Sequence, residues 1–235
     1  MIERIKVLLT WPTFSLTWPG QNKLIASPAK DMLSIRSIKI LSFCSGIMGF
    51  VVVALGAWTR LADAGLGCPD WPGCYGFATI PISPEEIDIA NTKFPDTPYE
   101  VAKAIPEVVH RYFAAALGFM ITCMAFIAIR SKELPSDIKN LSIFLFIWVI
   151  LQGTFGYWTV SLKLWPQVVT THLMSGFLTT GLLWLLYFKA KDRLQTRQTW
   201  DFSGSTKKFF NIALVLVAIQ IFLGAWTSTN YASYS

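Results

Sequence analysis

Five long apolar runs, at about 38–58, 108–129, 141–158, 168–188 and 209–226, dominate the chain, and polar or turn-forming segments separate them. Each approaches the roughly 20 residues an α-helix needs to cross a bilayer, so the pattern predicts five membrane-spanning helices. The long gap between the first two runs is rich in Gly, Pro and acidic residues and reads as a loop, with a short interfacial helix around 99–104. Pro106 just ahead of Glu107 predicts that the second helix begins there. Residues 1–37 carry Pro12, Pro19 and Pro28, and their apolar stretch 7–18 is too short and proline-broken to span, so no structure is expected there. No small-residue cleavage site follows a clean apolar core in that stretch. A basic lead-in, Arg36 and Lys39, follows Met32, so Met1 and Met32 both fit as start sites.

Composition supports the membrane reading. Hydrophobic residues make up 53% of the 235 and charged residues 14%, with a mean hydropathy of +0.47, which is too apolar for a soluble domain. The segments before the first run, between the second and third, and between the fourth and fifth hold 15 of the 20 Lys and Arg residues. By the positive-inside rule that side is cytoplasmic, or the matrix side in an organelle, and it holds the N-terminus. This asymmetry accounts for the net charge of +6, and no basic patch remains for nucleic acid.

The outward-going helices share a signature. The first carries Gly56-x-x-Thr59, the third Gln152-x-x-x-Gly156-x-x-Thr159 and the fifth Gln220-x-x-x-Gly224-x-x-Thr227. Gly56-Ala57-Trp58-Thr59 is identical to Gly224-Ala225-Trp226-Thr227, so the fifth helix is expected to begin a second copy of the unit. The predicted fold is an all-α membrane protein: a four-helix transmembrane bundle over 38–190, a loop at 191–208, and a fifth helix in 209–235 opening a truncated second repeat. Small residues that let helices approach closely would by themselves account for the pattern.

Candidate chemistry collects at the outer ends of two helices. Glu107, His110 and Arg111 share one helical face at the head of an apolar run, where ionisable groups are expensive and mark function. Glu107 alone would also suit a first-turn acid favoured by the helix dipole. The only other histidine, His172, heads another apolar run, with Ser175, Gly176 and Thr179 continuing a small, polar face that is expected to line the bundle. Two neutral imidazoles from separate helices are a standard axial pair for haem iron. Arg60 and Arg111 at the same rim would grip propionates. Singly, each histidine reads as an interfacial side chain and each arginine as a snorkelling cation. Cys68 and Cys74, six apart in a Gly- and Pro-rich external loop, favour a disulfide over a free or metal-binding pair. Cys44 and Cys123 fall within apolar runs and read as packing residues.

Gly56-Ala57-Trp58-Thr59-Arg60, Gly65-Leu66-Gly67-Cys68-Pro69-Asp70-Trp71-Pro72-Gly73-Cys74, Glu107-x-x-His110-Arg111, Gln152-x-x-x-Gly156-x-x-Thr159 and Pro166-x5-His172-Leu173 together resemble the haem A synthase family over about 39–226. The resemblance implies eight helices in two similar halves, each with a histidine pair, and oxidation of the ring methyl of haem O to the formyl of haem A for terminal oxidases. It implies that His110 and His172 hold the haem substrate, that Glu107 is the acid required for activity, and that Cys68 and Cys74 are the first-loop cysteine pair. A haem b belongs to the second half, whose remaining helices this chain lacks. The implied partners are a haem O-producing farnesyltransferase, terminal oxidase assembly factors and a second copy of the chain, in a bacterial cell membrane or mitochondrial inner membrane. Two other readings stay open: a b-type electron-transfer cytochrome using the same histidines, and a thiol-disulfide oxidoreductase built on Cys68 and Cys74.

Overall fold

The computed structural model describes residues 29–195 and 203–230; the proline-bearing stretch before them, with Met1, and part of the 191–208 loop lie outside the described residues. Six helices follow in order: α1 Ala29–Leu61, α2 Pro84–Lys93, α3 Val101–Arg130, α4 Ser136–Ser161, α5 Pro166–Leu194 and α6 Gly204–Thr229. All but α2 are long and apolar enough to cross a membrane. The chain is an all-α integral membrane protein, with the five spans its apolar runs predict.

Helix ends differ from the sequence expectation for identifiable reasons. α1 begins at Ala29, inside the stretch expected to be unstructured, because Ile35 and Ile38 bury against the bundle and carry the helix beyond its apolar run. The short external helix is α2, not 99–104. Ser83 caps it: the Ser83 hydroxyl accepts from the Glu86 N–H at 3.1 Å, the Glu86 carboxylate accepts from the Ser83 N–H at 3.0 Å, and Pro84 opens the helix. Residues 101–104 instead form the first turn of α3, so Pro106 lies inside that helix rather than at its start. Its ring removes one intrahelical hydrogen bond, and its carbonyl accepts from the Thr59 hydroxyl of α1 at 3.2 Å. Glu107 is therefore past the first turn, and the helix dipole does not account for it.

α1 packs against α3 and α5, and α4 packs against the same two, so α3 and α5 face each other across the diagonal of a four-helix bundle. α6 packs against α5, and the Arg60 side chain of α1 also reaches it. Close approach of α1 to α5 is set by Gly46 against Trp184 and Gly49 against Thr180.

The main apolar core, including Ile38, Ile121, Met124, Ile138, Leu145, Leu183 and Leu186, fills only the half of the bundle nearest the basic loops. At that end Asp137 of α4 pairs with Lys189 and Arg193 of α5 at 3.1 and 3.2 Å. A second cluster of Cys68, Cys74, Tyr75, Ala90 and Ala104 forms the core of the external loop. Between the two clusters lies a level of the bundle lined by small and polar side chains, and it is there that the histidines stand.

Candidate functional site

The exits of α1 and α4 are built alike, and they hold the histidines. The N–H groups of Ala62, Asp63 and Ala64 donate to the carbonyls of Trp58, Arg60 and Thr59; those of Leu162, Lys163 and Leu164 donate to Trp158, Val160 and Thr159. The signature glycines of α1 and α4 lie on the bundle side of their helices, whereas Gly224 of α6 has open space around it. Gly56 of α1 faces the His110 ring of α3, where a Cβ would come within 3.1 Å of Cε1. Gly156 of α4 faces the His172 ring of α5, where a Cβ would come within 3.4 Å of Cε1. The sequence signature is thus the mark of two imidazole seats, one on each side of the α3–α5 diagonal.

The two rings are held differently. His110 Nδ1 lies 3.1 Å from the Val52 carbonyl, one turn before Gly56. A carbonyl only accepts, so Nδ1 carries the proton and Nε2 is the nitrogen with a lone pair to offer. His172 Nδ1 is buried with no hydrogen-bond partner among the described residues. α5 is instead tied to α4 through its backbone: the Gln152 side-chain amide donates to the His172 carbonyl at 3.0 Å, and its oxygen accepts from Ser175. Trp148 adds a bond to the Thr179 hydroxyl at 3.1 Å. The small, polar face expected for α5 does line the bundle, with Ser175 and Thr179 buried and Gly176 against Gln152.

Above His110 the external loop is pinned to α3. Glu107, 5% exposed, accepts from the Cys68 N–H through Oε2 at 2.9 Å and pairs through Oε1 with Arg111 at 2.5 Å. Arg111 also donates to the Asp70 carbonyl at 2.9 Å and to the Gly73 carbonyl. The Asp70 carboxylate accepts from the N–H groups of Tyr75 and Gly76 at 2.6 and 2.7 Å, and a disulfide joins Cys68 to Cys74. Burial pushes the Tyr75 phenol above its ordinary range, helped by the nearby Glu100 and Glu107 carboxylates.

Glu107, His110 and Arg111 thus share a face as their spacing implies, but the Arg111 guanidinium is engaged by Glu107 and two loop carbonyls. Arg60 points to α6, donating from Nε to the Ser228 hydroxyl at 3.2 Å and also to the Ser228 carbonyl. Cys44 is exposed on α1 rather than packed inside, because it falls on the face of α1 turned away from α3 and α5; Cys123 is half-buried. Sequence reasoning missed the Val52 carbonyl, which no side-chain pattern announces. It also missed Asp70, although an Asp six residues before a glycine in a turn-rich loop is a recognisable backbone cap.

The COX15-CtaA family of cytochrome oxidase assembly proteins matches residues 39–235. The chain is 40% identical over 190 residues to "Heme A synthase" of Shewanella oneidensis, covering 80% of this chain and 56% of that protein. It is 30% identical over 213 residues to "Heme A synthase" of Wolbachia sp. subsp. Brugia malayi, covering 82% of this chain and 62% of the relative. A third "Heme A synthase", from Rhizorhabdus wittichii, is 26% identical over 232 residues, covering 90% and 65%. The chain therefore spans less than two thirds of the length of these relatives. No solved structure matches it.

Proposed function

The chain belongs to the COX15-CtaA family of cytochrome oxidase assembly proteins, and from that premise we propose that it acts in haem A synthesis, oxidising the ring methyl of haem O to a formyl group. The observation that carries this reading is the seating of His110 and His172 on diagonal helices, each against a glycine of the repeated signature, at the level where the apolar core gives way to small and polar residues. Two seated imidazoles on diagonal helices, with Nε2 of His110 left free to ligate, fit a metal-centred group held between α3 and α5.

When bound, haem supplies the redox chemistry that no side chain of this chain can. The chain's own residues bind and orient. His110 and His172 present imidazoles, and the disulfide-closed loop covers the outer end of the site. Glu107, three residues from His110 on one face, is the acid placed to hold or move a proton there. The N-terminal side is cytoplasmic by its basic loops, in a bacterial cell membrane.

A second reading follows from Glu107 itself. Both of its oxygens are engaged, by Cys68 and Arg111, which favours a haem-binding electron-transfer role in which the acid only holds the loop. Incubating the full chain with haem O, an electron acceptor and oxygen decides: hydroxymethyl and formyl haem products support the synthase reading, and a stable haem complex without product supports the second. In either case the low-spin six-coordinate spectrum should be lost in His110→Ala and His172→Ala, and unchanged spectra in both would remove the ligation assignment.

A further inference from the structure

We infer that the seam between α3 and α4 is the side entrance of the haem site, and that the farnesyl chain of a haem O held between the histidines lies in it. The inference rests on the haem reading above and names the route by which that substrate reaches the site from the bilayer.

Three of the four seams around the bundle are fastened near the histidines. Across α1 and α3, His110 meets the Val52 carbonyl at 3.1 Å and the Thr59 hydroxyl donates to the Pro106 carbonyl at 3.2 Å. Across α1 and α5 the backbones close up at Gly49, where a Cβ would lie 2.7 Å from the Thr180 hydroxyl. Across α4 and α5, Gln152 donates to the His172 carbonyl at 3.0 Å and Trp148 to the Thr179 hydroxyl at 3.1 Å. α3 and α4 are held differently, by apolar packing of Ile121 and Met124 with Ile138 and Leu145 in the inner half. Among the described residues no hydrogen bond or ion pair joins these two helices, and α4 buries no residue beyond Leu145.

The opening has defined borders. On its inner side a Cβ on Gly118 would lie 4.0 Å from Val149, an ordinary contact. On its outer side Trp71 of the external loop meets Tyr157 of α4, ring centroids 5.8 Å apart. Arg111 holds the loop on both sides of Trp71 through the Asp70 and Gly73 carbonyls. Val149 and Tyr157 are two turns apart, roughly 12 Å along α4, and Gly153 stands between them. Gly153 is exposed, and a Cβ there would find nothing within 4 Å. One turn outward of Gly118, α3 contributes only Ala114 and Ala115.

Small residues at a helix interface normally let two backbones touch. Here nothing approaches Gly153, so they leave a gap, and it opens on hydrocarbon at the level of Gln152 and Gly156, the seat of His172. A farnesyl chain is as apolar as the lipid it would leave, so parting this seam breaks no polar contact. Entry through the external loop would instead separate Glu107 and Arg111 from the Cys68 N–H and two carbonyls, each of which costs free energy to leave unpaired.

The test uses the full chain in lipid nanodiscs, with haem O delivered from phosphatidylcholine vesicles and the rise of the low-spin spectrum followed in time. Gly153→Leu fills the gap without meeting an atom and replaces glycine by a better helix former, so the bundle stays folded. It should slow the rise by about tenfold, an added barrier of about 1.4 kcal/mol, while the final spectrum is unchanged. Its preference for haem O over iron protoporphyrin, which has no farnesyl chain, should also fall. Ala115→Leu, on the opposite border, should slow uptake in the same way. Gly181→Leu on α5, with equally open surroundings, should match the unaltered chain. Unchanged uptake in both border variants, or equal slowing in Gly181→Leu, overturns the inference and leaves ligation standing. An unaltered chain that forms no low-spin complex with either haem overturns the haem reading and the inference with it.

Discussion

Asp63 and Lys163 adopt the same left-handed backbone conformation, φ 50° and 48°, at corresponding points beyond α1 and α4. Each lies between N–H groups that fold back onto the last turn of its helix, and each follows a Trp-Thr pair that ends a glycine signature. The repeat read from sequence between the first and fifth helices is therefore also present within the four-helix unit, as a pair of matched helix exits that set the height of the two imidazole seats.

Left-handed backbone costs a non-glycine residue on the order of 1 kcal/mol. Lys163→Gly should stabilise the folded chain by up to about that amount, less the entropy a glycine adds to the unfolded chain. Lys163→Val should destabilise it by about 1–2 kcal/mol, since a β-branched residue tolerates this region worst. Thermal unfolding in detergent, followed by circular dichroism, gives both, and a lower midpoint for the glycine variant would contradict the assignment.

The spans and the shared face of Glu107, His110 and Arg111 were legible because each rests on a composition or spacing that survives without three dimensions: a run of apolar residues, or ionisable groups three and four apart on a helix. Cys68 and Cys74 were legible for the same reason, since a short Gly- and Pro-rich loop leaves two nearby thiols little choice. What escaped were relationships between elements. The seat of His110 depends on a backbone carbonyl 58 residues away, which carries no signature in residue type. The short external helix escaped because its capping box, Ser83 with Glu86, competes with an equally polar Tyr99 region, and Pro106 misled because a proline near a helix start looks the same whether it opens the helix or lies one turn inside it.

The external loop is tight around Gly67, whose added Cβ would overlap the Lys103 carbonyl at the start of α3. Gly67→Ala should push the loop off Glu107 and Arg111, costing about 1–3 kcal/mol, the scale of an overpacked site. Proteolysis of the loop should accelerate in this variant and not in an alanine variant of Gly204, which has open space around it. Equal protection of the two would show that the close approach is unimportant.

The same loop should respond to alkaline pH. Tyr75 is 2% exposed, and burial first, then the Glu100 and Glu107 carboxylates, raise its pKa above the ordinary value of 10.0. The folded loop favours the neutral phenol, so this contribution is fully present below pH 10 and is lost as pH rises through the higher folded value. Tyrosinate absorbance should show late titration from Tyr75 and from Tyr99, whose phenol burial also raises, with one late group fewer in Tyr75→Phe, and reduction of Cys68–Cys74 should accelerate above that pH. A phenol titrating with the exposed tyrosines would remove the argument.

Glu107→Gln separates the two roles of this acid. Glutamine keeps the length of the side chain, and its amide oxygen can still accept the Cys68 N–H, but the charge opposite Arg111 is gone and so is the capacity to exchange a proton at working pH. Removing one partner of a buried ion pair is costly, though Arg111 retains the Asp70 and Gly73 carbonyls, so a loss of about 1–3 kcal/mol in thermal stability is expected, with the loop still closed. Haem ligation should survive, because His110 takes its orientation from Val52 and Gly56 on α1 and not from Glu107. If Glu107 moves protons, haem O should be bound with a normal spectrum while formyl product falls by about 100-fold or more, the scale of a lost general acid or base. If it only anchors the loop, product formation should fall no further than loop occupancy does, and Arg111→Gln should reproduce the defect. Measuring haem occupancy, product and loop proteolysis on the same samples decides it: near-normal turnover with a loosened loop would make Glu107 the fastener of the cysteine loop and not an acid.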